Sequence, residues 1–366
     1  MASTRSVKRD DDIAIIGWSI SPMVRNTAKT EVQMLLEVIT GAVTDAGITR
    51  KEVDFTCAGS CDYVAGQAFS FVQNIDALGA WPPKRDSHVE MDGAWALYEA
   101  WIRLQLDDID VALAMGSGRS STADPALIYS MEMDPYYLAP LGADATSLAA
   151  IQARALLDSG KVSERQMADV AVRCRHDALA NDHAQVTGDF DAETLLAAEY
   201  VRAPLRKHDL PPITDGACAV VIARAGAARE LCEHPVWITG FSHCSELHNP
   251  GMRDLTSSPS TTSAARAAGL DERSFREHPV DVAEIQAAYT HEEPLLVEAL
   301  GLPSGVAINP SGGPLAANPI MATGLVRVAE AARQVRDLGR QRTLAHSTSG
   351  PCLQQNLVCV LEGARS

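Results

Sequence analysis

Apolar residues along the chain fall into two recurring patterns: short unbroken runs, and longer stretches with apolar positions three or four apart. The run Ile13-Ala14-Ile15-Ile16 before Gly17 has no polar alternation, as expected of a strand buried on both faces. Thr30 to Ala46 carries helical periodicity and is closed by Gly47. A second helix is predicted over about Gly93 to Gln105, and a second buried strand over Val111 to Met115, stopping at Gly116-Ser117-Gly118. Strands that alternate with helices predict a mainly parallel sheet covered on both faces.

From Arg119 to Arg206 the pattern changes. Met131-Glu132-Met133-Asp134-Pro135-Tyr136-Tyr137 is followed by helical runs at Ser147 to Ser159 and Glu164 to Ala180, which predict an inserted, mostly helical subdomain. The sheet resumes at Ala219-Val220-Val221-Ile222 after a turn at Thr214-Asp215-Gly216. Val236-Trp237-Ile238-Thr239-Gly240 then restates the run at Ile13, and Val282 to Ile285 precedes a helix at Glu292 to Ala299 as Ser87 to Glu90 precedes the one at Ala94. A glycine-rich loop, Asn309 to Asn318, feeds a helix at Thr323 to Leu338, and Leu357 to Leu361 closes the chain as a strand. The expected organisation is two similar α/β halves, 1–118 with 207–230 and then 231–366, with residues 119–206 inserted into the first.

Composition narrows the partners more than the fold. The 366 residues are 46% hydrophobic and 21% charged, which excludes global disorder. A net charge of −16, with no basic cluster beyond Arg5, Lys8 and Arg9, argues against nucleic acid and anionic membrane surfaces. No apolar stretch approaches the ~18 residues of a membrane span and the start has no hydrophobic signal core, so a cytoplasmic protein is expected. The eight cysteines include no CxxC pair, and most are expected to be buried thiols rather than metal ligands.

The most specific motif is Asn309-Pro310-Ser311-Gly312-Gly313-Pro314-Leu315-Ala316-Ala317-Asn318-Pro319 with Ala322-Thr323-Gly324 at a helix start. It resembles the NPSGG signature of thiolases, closest to the sterol-carrier-protein-X branch. Pro212-Ile213-Thr214-Asp215-Gly216-Ala217 resembles the segment that re-enters the thiolase sheet after its loop domain. The resemblance implies a thiolase fold: two similar βαβαβ halves forming a layered α-β-α-β-α core, with a mostly helical loop domain inserted. Glycines in such a loop admit close backbone approach to a ligand, so Ser311, Gly312, Gly313 and Gly350 are the candidate binding residues.

The catalytic positions depart from the thiolase pattern. Where thiolases carry a nucleophilic cysteine, this chain reads Glu90-Met91-Asp92-Gly93-Ala94, with Glu90 in the cysteine's place or Asp92 after a two-residue slip. The HEAF-like segment is Gln286-Ala287-Ala288-Tyr289, and Asn318 replaces the histidine of the GHP motif. A C-terminal cysteine survives as Cys352, beside Gly350. Without the thiolate no acyl group can be held covalently in the usual way, whereas a retro-aldol cleavage needs only a base, enolate stabilisation and a proton donor.

Asn318 and Gln286 suit an oxyanion hole; Tyr289, His291 (with Glu292 following), Glu90 and Asp92 are candidates for acid–base work; Cys352 is a candidate proton donor to the enolate carbon. His88 to Trp101 and Cys61 to Phe71 resemble the actinobacterial thiolase-like lipid-transfer proteins. That group contains steroid side-chain aldolases that use catalytic tyrosines and work with a small OB-fold, zinc-ribbon partner. The resemblance therefore implies a CoA thioester as substrate, no cofactor, a homodimer and such a partner. Two alternatives stay open: an acyltransferase, or a degenerate subunit that binds acyl-CoA.

Overall fold

A computed structural model describes residues 12–106 and 108–363; the Arg5, Lys8 and Arg9 start lies outside them. The first half runs β1 (Ile13–Ile20), α1 (Glu31–Asp45), β2 (Phe55–Gly59), α2 (Asp62–Ala65), α3 (Phe71–Leu78), β3 (Arg85–Val89), α4 (Gly93–Leu104) and β4 (Val111–Arg119). Between β4 and the next long strand come α5 (Pro125–Met131), α6 (Ala145–Asp158), α7 (Glu164–Asp177), α8 (Ala192–Leu196) and a small pair, β5 (Tyr200–Arg202) with β6 (Leu205–Arg206). Then β7 (Asp215–Arg224) and α9 (Ala225–Leu231) complete the half.

The second half comprises β8 (Val236–Ser245), α10 (Pro259–Ala267), α11 (Glu272–Glu277), β9 (Val282–Ile285), α12 (Glu292–Leu300), β10 (Ala307–Ile308), α13 (Thr323–Arg336), β11 (Arg342–Ser349) and β12 (Gln355–Glu362).

Ten strands join in the order β10-β9-β11-β12-β8-β1-β7-β4-β2-β3. Read from either edge to the middle, each half has its third, second, fourth, fifth and first strands side by side, so the two halves share one topology. They meet where Ala14 faces Trp237 and Ile15 faces Val236, antiparallel. The sheet is mixed rather than mainly parallel: β2 pairs parallel with β3 and β4, and β9 with β10 and β11, while the strands nearer the centre pair antiparallel. Strands buried on both faces carry unbroken apolar runs whichever way they point, so the sequence could not tell the two apart.

The layers follow from where the apolar faces go. Helix α1 buries Met34, Leu35, Val38, Ile39, Ala42 and Val43, a stripe at three- and four-residue spacing, onto β1, β4 and β7. Its start is fixed by Thr30, which accepts from the Gln33 N–H while the Gln33 side chain accepts from the Thr30 N–H. Helices α4 and α13 are enclosed together between the two half-sheets, with Leu97, Ala100, Leu325, Val328 and Ala332 in one cluster alongside Ile15, Val220, Leu357 and Cys359. Helices α6, α10 and α12 cover the far face of β9, β11 and β12. Their order is α-β-α-β-α.

Gly116 and Gly118 lie inside β4 rather than ending it. A Cβ there would stand 2.5 Å from the Met321 carbonyl oxygen and 1.9 Å from that of Ile320. Glycine is needed at these positions for the close approach of the 318–322 loop.

Candidate active site

The central helices bring the candidate residues of both halves to one end of the molecule. Asp92 is the N-cap of α4, and its carboxylate accepts from Ala94 N–H at 2.8 Å and from Gly324 and Leu325 N–H at 3.0 Å each. One side chain thus closes the starts of α4 and α13 together. Burial pushes its pKa up, opposed by those three N–H groups and by Arg327. Glu90 is exposed and accepts from the Asp62 N–H at 2.6 Å, so it faces the start of α2.

The 309–318 loop is anchored by a buried network. Ser311 donates from its N–H and hydroxyl to Glu284 at 3.1 and 2.6 Å, and Arg327 donates to Glu284 at 2.7 Å and to the Ser311 hydroxyl at 2.6 Å. Arg327 and Glu284 are both buried, and Ser311 shares the ion pair by bonding to both partners, although the Arg327 Nε is left without an acceptor. Gly312 is left-handed and packs so that a Cβ would meet Ala178 Cβ at 2.5 Å; a Cβ on Gly313 would meet the Asn309 amide at 2.7 Å. In this structure Ser311, Gly312 and Gly313 shape the loop from within. Gly350, also left-handed, opens the β11–β12 loop, where a Cβ would meet Gln354 Oε1 at 2.3 Å.

Two side chains hold their acceptors and leave donors over. Asn318 Oδ1 accepts from the Thr323 hydroxyl at 2.9 Å, and Gln286 Oε1 accepts from Thr348 N–H at 3.1 Å. Among the described residues no acceptor takes the Asn318 Nδ2 or Gln286 Nε2 hydrogens.

The start of α12 carries the titratable groups. Glu292 is buried, accepts from Tyr289 N–H at 3.1 Å, and has no cationic partner among the described residues; burial raises its pKa to about 7. His291 is fully buried with both ring nitrogens unpartnered, and burial lowers its pKa to about 3, so it is neutral. Burial, then the Glu292 carboxylate, push the Tyr289 phenol up. Glu293 points the other way, paired with Arg173. The neighbouring Thr290 hydroxyl donates to Asp209 at 2.5 Å.

Cys352 comes to the same place from the β11–β12 loop. Its thiol donates to the Leu148 carbonyl at 3.5 Å, and its pKa is pushed to about 12, mostly by burial, with Arg253 lowering it and Glu292 raising it. Sequence reasoning missed a further member, Tyr129 of α5. Burial raises this phenol, and Glu132, Cys61, Glu292 and Asp92 stand near enough to raise it further. The structure thus gathers Tyr129, Tyr289 and Cys352 around Glu292, with His291 beside Tyr289, while Glu90 lies toward α2 and Asp92 is engaged as a cap. Nothing in the spacing around Tyr129 marks it, because α5 lies in the insertion, away from every recognised motif.

Two halves of one topology, packed around paired central helices, define the thiolase fold. No family model matches the chain. An acetyl-CoA acetyltransferase of Methanothermobacter thermautotrophicus is 26% identical over 93% of this chain and 94% of its own length. The 17-hydroxy-3-oxo-4-pregnene-20-carboxyl-CoA lyase of Mycobacterium tuberculosis is 25% identical over 62% of this chain and 61% of its own. Among solved structures, that of the Ltp2-ChsH2(DUF35) aldolase matches with a TM-score of 0.79 at 20% identity, covering 97% of this chain and 99% of that one. The chain has the thiolase fold and is similar to acyltransferases and to a lyase alike.

Proposed function

We propose that the protein is an acyl-CoA retro-aldolase, cleaving the Cα–Cβ bond of a β-hydroxyacyl-CoA to a ketone or aldehyde and a shorter acyl-CoA. The observation that carries this reading is the division of labour at the two half-sites. Both residues offered for the nucleophile's position, exposed Glu90 and capping Asp92, lack a thiol, whereas Glu292, with no cationic partner among the described residues and a pKa of about 7, neighbours Cys352 and two tyrosines.

Glu292 takes the β-hydroxyl proton as the Cα–Cβ bond breaks, and the bonding pair moves into the thioester as an enolate. Asn318 Nδ2 and Gln286 Nε2 are the free neutral donors for that oxyanion, each worth on the order of 3 kcal/mol when well placed. The Cys352 thiol, held protonated by its raised pKa, delivers a proton to Cα, and the Glu292 proton returns to the thiolate. Atoms and charge balance, and the cycle requires no cofactor beyond the thioester itself.

The substrate class is taken from the lyase relative, whose name specifies a hydroxylated steroid side-chain CoA ester. A DUF35 partner, here of the OB-fold, zinc-ribbon kind, is proposed from the aldolase complex. A homodimer is proposed from the superfamily resemblance, and cytoplasmic location from the absence, among the described residues, of any helix long and apolar enough to cross a membrane. The acyltransferase relatives favour a second reading, acyl transfer through Cys352. Against it stands the thiol's pKa of about 12, which leaves almost no thiolate at neutral pH.

The test is incubation with a steroid side-chain β-hydroxyacyl-CoA, with and without a DUF35 partner, following the carbonyl product and the shortened CoA ester by mass spectrometry. Cleavage in either condition is expected. No cleavage in both, or an acyl group trapped on Cys352, overturns the reading.

A further inference from the structure

The loop that carries Cys352 is strained. Its last ladder pair is Ser349 with Gln355, and between them Gly350, Cys352 and Leu353 take φ of 74°, 53° and 58°. Left-handed backbone is ordinary for glycine but costly for Cys352 and Leu353, and it persists only where neighbours over-determine it.

Those neighbours come from one segment after β8. Arg253 donates from Nη1 to the Cys352 carbonyl at 3.0 Å and from Nη2 to the Pro351 carbonyl at 2.7 Å. Its side chain is only 5% exposed and lies 3.9 Å from the Glu246 carboxylate, which is fixed by the Ser260 N–H and hydroxyl at 2.9 and 2.6 Å. On the other flank His248 stands between Gln354 Oε1 at 3.2 Å and the Glu132 carbonyl at 2.8 Å. The Gln354 Nε2 donates back to the Glu246 carbonyl at 3.3 Å.

We propose that Arg253 is the positioning residue of Cys352: by holding two successive carbonyls of a left-handed loop, it aims the thiol inward toward Glu292 and away from water. The role rests on the reading of Cys352 as proton donor, and it explains why the buried guanidinium spends its hydrogen bonds on two carbonyls while its carboxylate, Glu246, stands off at 3.9 Å. The groups facing the thiol are the Leu148 carbonyl from α6, the Glu292 carboxylate from α12 and Arg253 itself. Tyr289 and Tyr129 neighbour Glu292 from its other sides.

If the clamp is removed, the loop relaxes and the thiol turns outward. Losing the Arg253 charge alone would raise the thiol's pKa, but burial is the larger cause of its elevation, so exposure brings it from about 12 toward the ordinary 9 and raises the thiolate fraction at pH 8.5 about 100-fold or more. The experiment is a timed iodoacetamide pulse at pH 8.5 on Arg253→Gln and Arg253→Lys, read cysteine by cysteine from peptide masses. Arg253→Gln is expected to speed alkylation of Cys352 about 100-fold while buried Cys57, Cys174, Cys218 and Cys359 stay protected. Arg253→Lys, which reaches one carbonyl, is expected near tenfold, and it carries the comparison alone should Arg253→Gln unfold. A folded variant whose Cys352 reacts at the wild-type rate overturns the proposal. Alkylation does not depend on turnover, whereas the proton-donor reading is tested by turnover of Cys352→Ala, so each can fail without the other.

Discussion

At the scale of single residues, the carboxyl of Glu292 is the group whose environment most constrains the chemistry. As the base it must be ionised, so kcat/KM should rise with pH through about 7 and level above it. Glu292→Gln is expected to lower kcat by about 10²- to 10⁴-fold and to abolish that inflection; a variant that keeps both rate and inflection removes Glu292 from the mechanism.

His291 and Glu292 also set opposed stability terms. His291 titrates near 3 when folded against 6.5 when unfolded, so its contribution is lost as pH falls below 6.5. Glu292 titrates near 7 against 4.5, so its contribution is full below 4.5 and lost as pH rises through 7. The two slopes cancel between 4.5 and 6.5 and leave His291 in control below. His291→Gln should therefore blunt acid destabilisation by about 1 to 2 kcal/mol between pH 4.5 and 3.5, measured by urea unfolding at each pH. Of these residues, Gln286, Tyr289, His291, Glu292, Asn318 and Cys352 were legible because they sit in or beside motifs of recognisable spacing. Tyr129 and Arg253 were not, since each reaches the site from a polar or inserted segment whose pattern records only local structure.

At the scale of elements, the starts of α4 and α13 share one cap. Replacing Asp92 by Ala removes the acceptor of three buried N–H groups at once. A loss of about 3 kcal/mol or more is expected in chemical unfolding, well above the ~1 kcal/mol of an ordinary exposed cap, because the orphaned donors have no water to turn to. Asp92→Asn, which keeps one acceptor oxygen, should fall between. The long helices were legible from their periodicity: Glu31–Asp45, Gly93–Leu104 and Thr323–Arg336 lie within the spans read from the sequence. What escaped were elements too short to show a period, such as the four-residue α2 and the two-residue β10, and β4's continuation through two glycines. A glycine normally argues for an end; here it marks the crossing of another backbone.

At the scale of the whole molecule, the repeat was legible as a strand-then-helix pattern stated twice, and the antiparallel centre was not, because apolar runs carry no direction. The charge of −16 sets the last expectation. A CoA thioester is strongly anionic, and the buried cations Arg327 and Arg253 are already engaged, the first with Glu284 and the second with two loop carbonyls. The chain alone should therefore repel its proposed substrate at long range, and salt should relieve that repulsion. The screening length shortens from ~30 Å at 0.01 M to ~8 Å at 0.15 M ionic strength, so KM for an acyl-CoA should fall several-fold over that range with kcat unchanged. Adding a DUF35 partner with a basic face should remove or reverse the trend, because attraction is screened as readily as repulsion. A KM that rises with salt for the chain alone would mean that it presents a phosphate-binding surface of its own, and would shift the burden of CoA recognition from the partner back to this protein.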